Sequence, residues 1–422
     1  MSKKILVAFV EPVAFLGLFL LTINRVVWGG GWIFLSGPTF EKVLPECVSW
    51  ILVGILFLWI AKQKKNLYKY IYAWRKNWIL LGFILLSICS IFWGNYFLVS
   101  LYKVFVLIGC SMIAAYIGIT FTGDILIKKL SYLFVLVIIL SYSLALFVPA
   151  MGTFIGYPYY GAWRGWFTIK NYMGPIMSVG TIIYLYRIMG VNEKSLTRLW
   201  NFCFYLLSIG LVILSQSATA VIIMVFLNAG SIIFYAWVKW KKRFHPGHYI
   251  VLGILFAGLL FLSLFNLNFL FGLLNKNTTL TGRFPLWSFL INSGLTNHPL
   301  FGSGFGATWV NDQFRFAAQA AAGWDVAPFT SHNGLVETFL SLGLVGAFLL
   351  LNLLVLCLYR TARYVIKEQS FTSFFPILLI LFVITTNITE SFFLELESFA
   401  WFLMVFALFS TTPLPVSHPT KS

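Results

Sequence analysis

The chain has 422 residues, of which 60% are hydrophobic and only 10% charged, and its 29 lysines and arginines outweigh 12 acids for a net charge of +17. Soluble domains carry roughly 25% charged residues, so this composition excludes a soluble enzyme, a single-anchor receptor and a nucleic-acid binder, and points to an integral membrane protein. At roughly 20 residues per crossing, a dozen helices would use about 240 residues and leave about 180 for connections.

Apolar runs long enough to span lie near 5–24, 45–61, 78–93, 98–120, 129–149, 172–190, 199–214, 218–238, 248–270, 334–358, 373–389 and 392–410. This pattern predicts an all-α, polytopic membrane helical bundle of about twelve transmembrane helices. The first run follows Met-Ser-Lys-Lys with no small-residue cleavage motif and reads as a retained helix, with the N-terminus in the cytoplasm. Twelve crossings return the C-terminus to the same side. They also place the clusters Lys62, Lys64, Lys65, Lys69, Arg75 and Lys76, then Lys239, Lys241, Lys242 and Arg243, then Arg360, Arg363 and Lys367 in cytoplasmic loops. The outer loops keep Arg25, Lys42, Arg164, Lys170, Lys276, Arg283 and Arg315, so the positive charge is read as a topology signal. Cys47, Cys89, Cys110, Cys203 and Cys357 lie in or beside apolar runs without metal or redox spacing.

Two long connections fall on the outer side, 149–171 and 271–333. A connection of the second kind is too long for a mere link. Phe284, Trp287, Leu290, Ile291 and Leu295 recur in it at helical spacing behind Pro285, and a second short helical stretch lies near 311–322. A structured outer lid is the natural reading. The chain divides into N-terminal membrane helices (1–150), a core that includes the outer loop 271–333 (151–350), and C-terminal helices with a short cytoplasmic tail (351–422).

Few polar groups can carry chemistry. Arg164, Lys170, Asn171, Arg283, His332, Asn333 and Glu337 lie on the outer side, with His298, Asp312, Arg315 and Asp325 as weaker candidates. Cations near the outer ends of several helices suit a phosphorylated lipid head group, because guanidinium matches phosphate geometry. No HExxH, Walker or D-x-D pattern offers a scaffold for a metal or nucleotide, and no cofactor is expected. His332 lies in Ser331-His332-Asn333-Gly334, where the loop meets the next helix and Ser331 or Asn333 can cap it. A helix N-terminus favours an anion, so a neutral histidine there is a potential base beside a diphosphate; the position equally suits a histidine that only satisfies loop carbonyls. Arg283, with Trp287 one turn on to stack against it, reads either as a phosphate ligand or as a cation snorkelling to lipid. Arg164 and Lys170 share that ambiguity among interfacial aromatics. Glu11 and Lys103 are ionisable residues within apolar runs.

Five motifs in order carry a resemblance: Trp166-Phe167-Thr168-Ile169-Lys170-Asn171-Tyr172-Met173-Gly174; Ser215-Gln216-Ser217-Ala218-Thr219; Leu280-Thr281-Gly282-Arg283 with Trp287; His298-Pro299-Leu300-Phe301-Gly302-Ser303-Gly304-Phe305-Gly306; and Ser331-His332-Asn333-Gly334 with Leu342-Gly343-Leu344-Val345-Gly346. Over roughly 150–350 the chain resembles the O-antigen ligase and polysaccharide polymerase superfamily, closest to its exopolysaccharide polymerases. The resemblance implies a GT-C-type fold in the bacterial cytoplasmic membrane, with the active site on its outer face. It also implies a polyprenyl (undecaprenyl) diphosphate-linked glycan donor, a glycan or lipid-core acceptor, a chain-length regulator as partner, and metal-independent inverting transfer. Carried over by motif, His332 is the base on the acceptor hydroxyl. Arg283, with Arg164 or Lys170, holds the diphosphate, and Asn171, Ser331, Asn333, Glu337 and Trp287 support them. One departure stands out: Ala218 occupies a place where many members have arginine.

The expected function is polymerisation of lipid-linked repeat units. A ligase delivering finished polysaccharide to a lipid A core shares the same donor site. A lipid-linked oligosaccharide transporter is the alternative from another class; transporters are often built from repeated halves with midplane charges, whereas here no repeat is visible.

Overall fold

The computed structural model describes residues 64–121, 123–156, 159–190, 193–240, 282–393 and 399–414. The expected helices 5–24, 45–61 and 248–270, together with Glu11, His245, His248, Glu395 and Glu397, lie outside the described residues. Within them the regular structure is helical, with one isolated bridge between Thr153 and Trp163.

The helices are α1 (Lys64–Lys76), α2 (Trp78–Cys89, extended by a 3-10 turn to Phe92), α3 (Phe97–Thr120), α4 (Gly123–Phe147), α5 (Lys170–Met189), α6 (Ser195–Leu214), α7 (Ala218–Trp240), α8 (Arg283–Asn297), α9 (Asp312–Ala322), α10 (Gly334–Glu368), α11 (Phe375–Thr389) and α12 (Phe399–Ser410). Six helices among the described residues are long and apolar enough to cross a membrane, namely α3, α4, α6, α7, α10 and α11 with its preceding turn. A seventh crossing results if α1 and α2, bent by 83° at their junction, count as one.

The segment 62–77, expected as a cytoplasmic loop, is therefore largely helix. Leu67, Tyr70, Ala73 and Trp74 recur at helical spacing and pack on the bundle, while Lys69 is half-buried and Arg75 and Lys76 are exposed. The bend is tied down at Asn77, which is fully buried. Its side chain bonds Ala73 O (2.8 Å) and accepts from the Arg360 guanidinium, which also reaches Lys76 O (2.6 Å).

Helix α5 is the central post. From Met173 to Arg187 its residues are buried, against α4, α6, α7 and α11. Helices inside a membrane bundle associate through close packing of small residues. Accordingly Gly174 faces Ser215 and Ala220, Gly180 lies on the Phe134 ring, and Ser178 Oγ donates to Ala220 O at 2.9 Å.

Helix α10 is broken at Gly343, and the loop after α8 repairs it. Gly343 has φ 68° and ψ −167°, a region open essentially to glycine alone. The break frees the amides of Leu344 and Val345, which donate to Pro299 O (2.8 Å) and Leu300 O (3.2 Å). On the other side of the break, Leu340 O and Ser341 O accept from the amides of Ser303 (2.9 Å) and Gly304 (3.1 Å). An unpaired backbone group in hydrocarbon costs several kcal/mol, so the two glycine motifs, 298–306 and 342–346, form one interlocked unit. A Cβ on Gly343 would lie 2.1 Å from Leu300 C.

The connections divide between two ends of the bundle. One end carries 148–169, 215–217, 282–333 and Glu390; the other carries α1 and the turns near 121, 190–194 and 369–374.

Candidate functional site

The site is assembled from four segments at the loop end. Arg283 opens α8, whose preceding residue Gly282 has φ 85°. A Cβ on Gly282 would approach Ala322 O to 2.4 Å and Trp324 Nε1 to 2.6 Å, so only glycine lets α8 start this close to the end of α9. The two helices share a small core of Leu286, Leu290, Trp309, Ala318, Ala322 and Leu340, which makes the lid a packed unit on α10.

His332 lies between that lid and α10 with φ 51°, a left-handed conformation that costs a non-glycine residue about 1–3 kcal/mol. Its neighbours hold it there. Ser331 N–H donates to Glu337 Oε2 (2.8 Å) and Ser331 O accepts from Trp287 Nε1 (2.8 Å). Glu337, buried, also accepts from Trp309 Nε1 (2.7 Å). Asn333 caps α10 through Oδ1, which accepts from the amides of Leu335 (3.0 Å) and Val336 (3.1 Å), and its Nδ2 donates to Ile388 O (3.1 Å). Ser391 Oγ lies 3.0 Å from Ser331 Oγ and accepts from Asn333 N–H, also at 3.0 Å. Trp324 meets the imidazole edge-on at 5.4 Å.

The group that joins the site is Glu390, at the end of α11. Oε2 lies 3.1 Å from His332 Nδ1, while Oε1 accepts from Arg283 Nη2 (3.1 Å) and Asn171 Nδ2 (3.0 Å). Burial pushes this carboxyl up, but the adjacent Arg283 charge and the His332 contact outweigh it and hold Glu390 below the usual carboxylate range. An ionised carboxylate only accepts, so His332 Nδ1 carries a hydrogen, and in the neutral imidazole the lone pair is then on Nε2. The side chains grade from 8% exposed at Glu390 through 14% at Arg283 to 27% at His332, which puts the acid at the base and the imidazole at the mouth. The arrangement can take a proton at Nε2 and offer the remaining guanidinium donors of Arg283 to an anion.

Of the residues predicted for the site, Arg283, His332 and Asn171 converge on one carboxylate, and Ser331, Asn333, Glu337 and Trp287 form the cradle of His332. Glu337 acts on the backbone at Ser331 and not on the imidazole. Arg164 is spent on its own loop: Nε donates to Met151 O (2.7 Å), Nη2 to Ala150 O (2.9 Å), and the guanidinium covers the Phe154 ring. Lys170, buried, has Nζ 3.3 Å from Gln216 O and over the Tyr159 ring, at the turn that precedes Ala218. Arg315 pairs with Asp312 (2.7 Å) and stacks on Phe329, and His298 is exposed at the end of α8. Lys103 Nζ donates to Gly306 O (3.1 Å), so this cation clamps the glycine-rich loop. Among the described residues no three His, Cys, Asp or Glu side chains gather into a metal-binding set.

Sequence reasoning alone misses Glu390 and Ser391. The available signal was an acid directly after the apolar run Phe375–Thr389, where an ionisable residue at the edge of a membrane span has functional weight by default.

Residues 203–351 match the family model for O-antigen ligase. The match covers about a third of the chain, and over that segment the chain is similar to the O-antigen ligase family. No curated protein matches the chain. The matched segment contains Arg283, His332 and their cradle, while Asn171 and Glu390 reach the site from helices on either side of it. The described helices that are long and apolar enough to cross a membrane, and this similarity over 203–351, together indicate a multi-pass membrane protein.

Proposed function

We propose that the chain is a membrane glycosyltransferase that polymerises polyprenyl-diphosphate-linked glycan repeat units on the outer face of the bacterial cytoplasmic membrane. The observation that carries the reading is the convergence of His332, Arg283 and Asn171 on Glu390. The acceptor hydroxyl oxygen attacks the anomeric carbon of the donor sugar from the face opposite the diphosphate. The new glycosidic bond forms as the bond from carbon to phosphate oxygen breaks, the diphosphate leaves with the electron pair, and the hydroxyl proton passes to His332 Nε2. A positioned base contributes roughly 10²–10⁴-fold. Stabilising charge on a leaving group in a partly dehydrated site contributes at least as much. Arg283 serves that role, with Lys170 as the second cation at the turn before Ala218. Arg164 shapes the loop that carries Lys170. Glu390 positions both the base and the guanidinium.

The charge distribution supports this orientation. Lys69, Arg75, Lys76, Lys128, Lys129, Arg187, Lys194, Arg198, Lys239, Arg360, Arg363 and Lys367 belong to the end away from the site, against Lys103, Arg164, Lys170, Arg283 and Arg315 at the site end. By the positive-inside rule the basic end is cytoplasmic. A GT-C-type arrangement of about twelve crossings is consistent with the described helices.

A second reading, ligation of finished polysaccharide to a lipid-core acceptor, is favoured by the description of the matched family and uses the same donor site. Purified protein supplied with a polyprenyl-diphosphate oligosaccharide separates the two. A ladder of longer glycans with donor alone supports the polymerase, and one transfer that requires an added lipid core supports the ligase. Donor binding without transfer to any acceptor contradicts both and supports the transporter.

A further inference from the structure

Helix α8 presents three faces. Leu286, Leu290 and Gly294 are buried against the rest of the lid and α10, and Asn292 and Thr296 are exposed polar residues. Between these faces Phe284, Ile291 and Leu295, spaced by seven and four residues, make an exposed apolar row. The row continues past the helix in Leu300 and Phe301, which are also about half exposed. No lysine, arginine, aspartate or glutamate occurs from Phe284 to Asn311.

Two junctions join this row to the lipid-facing wall of the bundle. Trp93, at the end of the α2 crossing, donates from Nε1 to Phe301 O (3.2 Å) and packs its ring on Phe301, beside the exposed Phe92, Phe97 and Leu98. At the α10 break, Leu344 and Val345 bond to Pro299 and Leu300, and Leu344 and Phe348 are exposed on that crossing. Exposed apolar side chains on membrane spans are suited to acyl chains, and at these two junctions they adjoin the apolar row of α8. A contiguous exposed apolar surface of this kind marks an interaction site.

We propose that α8 lies in the plane of the membrane at the site end, with Phe284, Ile291, Leu295, Leu300 and Phe301 embedded in the acyl chains of that leaflet and Asn292 and Thr296 facing water. Arg283, at the head of the row, is thereby fixed at head-group depth. That depth is where a lipid-linked diphosphate would be met, a consequence that rests on the proposed function, whereas the insertion itself does not.

The test uses the full chain in lipid nanodiscs without glycan. Nitroxide labels at Ile291→Cys, Leu295→Cys and Thr296→Cys, in a background lacking the native cysteines, are read for collisions with oxygen and with a water-soluble nickel chelate. Positions 291 and 295 are expected to favour oxygen over the chelate by several-fold, and position 296 the reverse. Photo-crosslinking from benzoylphenylalanine at Phe284, with the native cysteines retained, is expected to capture a labelled phospholipid. Equal chelate access at all three positions overturns the proposal. So do labels at 291 and 295 that are shielded from both reagents, or crosslinks to a second copy of the chain. Because no glycan is present, none of these outcomes bears on the transferase reading.

Discussion

His332 Nδ1 and Glu390 Oε2 stand 3.1 Å apart, although 57 residues separate them in the chain and only Glu390 lies beyond the matched family segment. The contact fixes which imidazole nitrogen is free, and through the other carboxylate oxygen it fixes Arg283 as well. The end of α11 thus sets the chemistry of a loop that belongs to α10.

Glu390→Gln is the most informative single change. The amide keeps the shape but loses the charge, and it can present a donor to Nδ1, which inverts the tautomer. Transfer is expected to fall about a hundredfold or more, with donor binding reduced far less. A rate within threefold of wild type, measured as polyprenyl diphosphate release, contradicts the positioning role.

Stability should depend on pH through the same residue. Glu390 is held below its ordinary value in the folded protein, so the native state binds fewer protons than the unfolded state across the carboxylate range. Its contribution is complete above that range and is lost as pH falls through it. Thermal denaturation in detergent between pH 7 and pH 3 should show this decline, and Glu390→Gln should flatten it.

The cradle of His332 can be loosened without touching the imidazole. Trp287→Phe removes the donor to Ser331 O, and Glu337→Gln weakens the acceptor for Ser331 N–H. Because the left-handed backbone at His332 costs about 1–3 kcal/mol, each change is expected to lower the rate about tenfold while leaving donor affinity near wild type. Unchanged rates in both variants would show that His332 holds its conformation unaided.

Two glycines in membrane helices should respond in opposite ways. Gly343→Ala meets Leu300 at 2.1 Å and forces a left-handed backbone, so properly folded protein should not accumulate. Gly82→Ala, whose nearest neighbour is Leu349 at 3.9 Å, should be neutral or stabilise by up to about 1 kcal/mol. Size-exclusion profiles and melting temperatures of the two variants decide this.

Much of the fold is legible in the apolar runs: α3, α6 and α7 fall within a few residues of their expected limits, α8 follows from its apolar spacing, and α9 coincides with the short helical stretch expected near 311–322. The helix α1 is concealed by its own charge, because lysines and arginines mask the Leu67, Tyr70 and Trp74 spacing. The break at Gly343 leaves no trace because apolar residues flank it on both sides and its repair comes from a loop some forty residues upstream. For the site, Arg283, His332 and Asn171 were legible as residues of the right type near helix ends. Glu390 shows only as an acid directly after an apolar run, and its partners do not show at all, because nothing local marks which end of a chain will fold back onto a loop.

The central claim is that His332 takes the acceptor proton while Arg283 holds the diphosphate. It is tested most directly by measuring donor binding and single-turnover transfer side by side, with purified protein in nanodiscs, for wild type, His332→Ala and Arg283→Ala. The account predicts that His332→Ala binds the polyprenyl-diphosphate glycan with near wild-type affinity yet transfers it at least a hundredfold more slowly, and that Arg283→Ala loses both binding and transfer. Transfer by His332→Ala at close to the wild-type rate would contradict it.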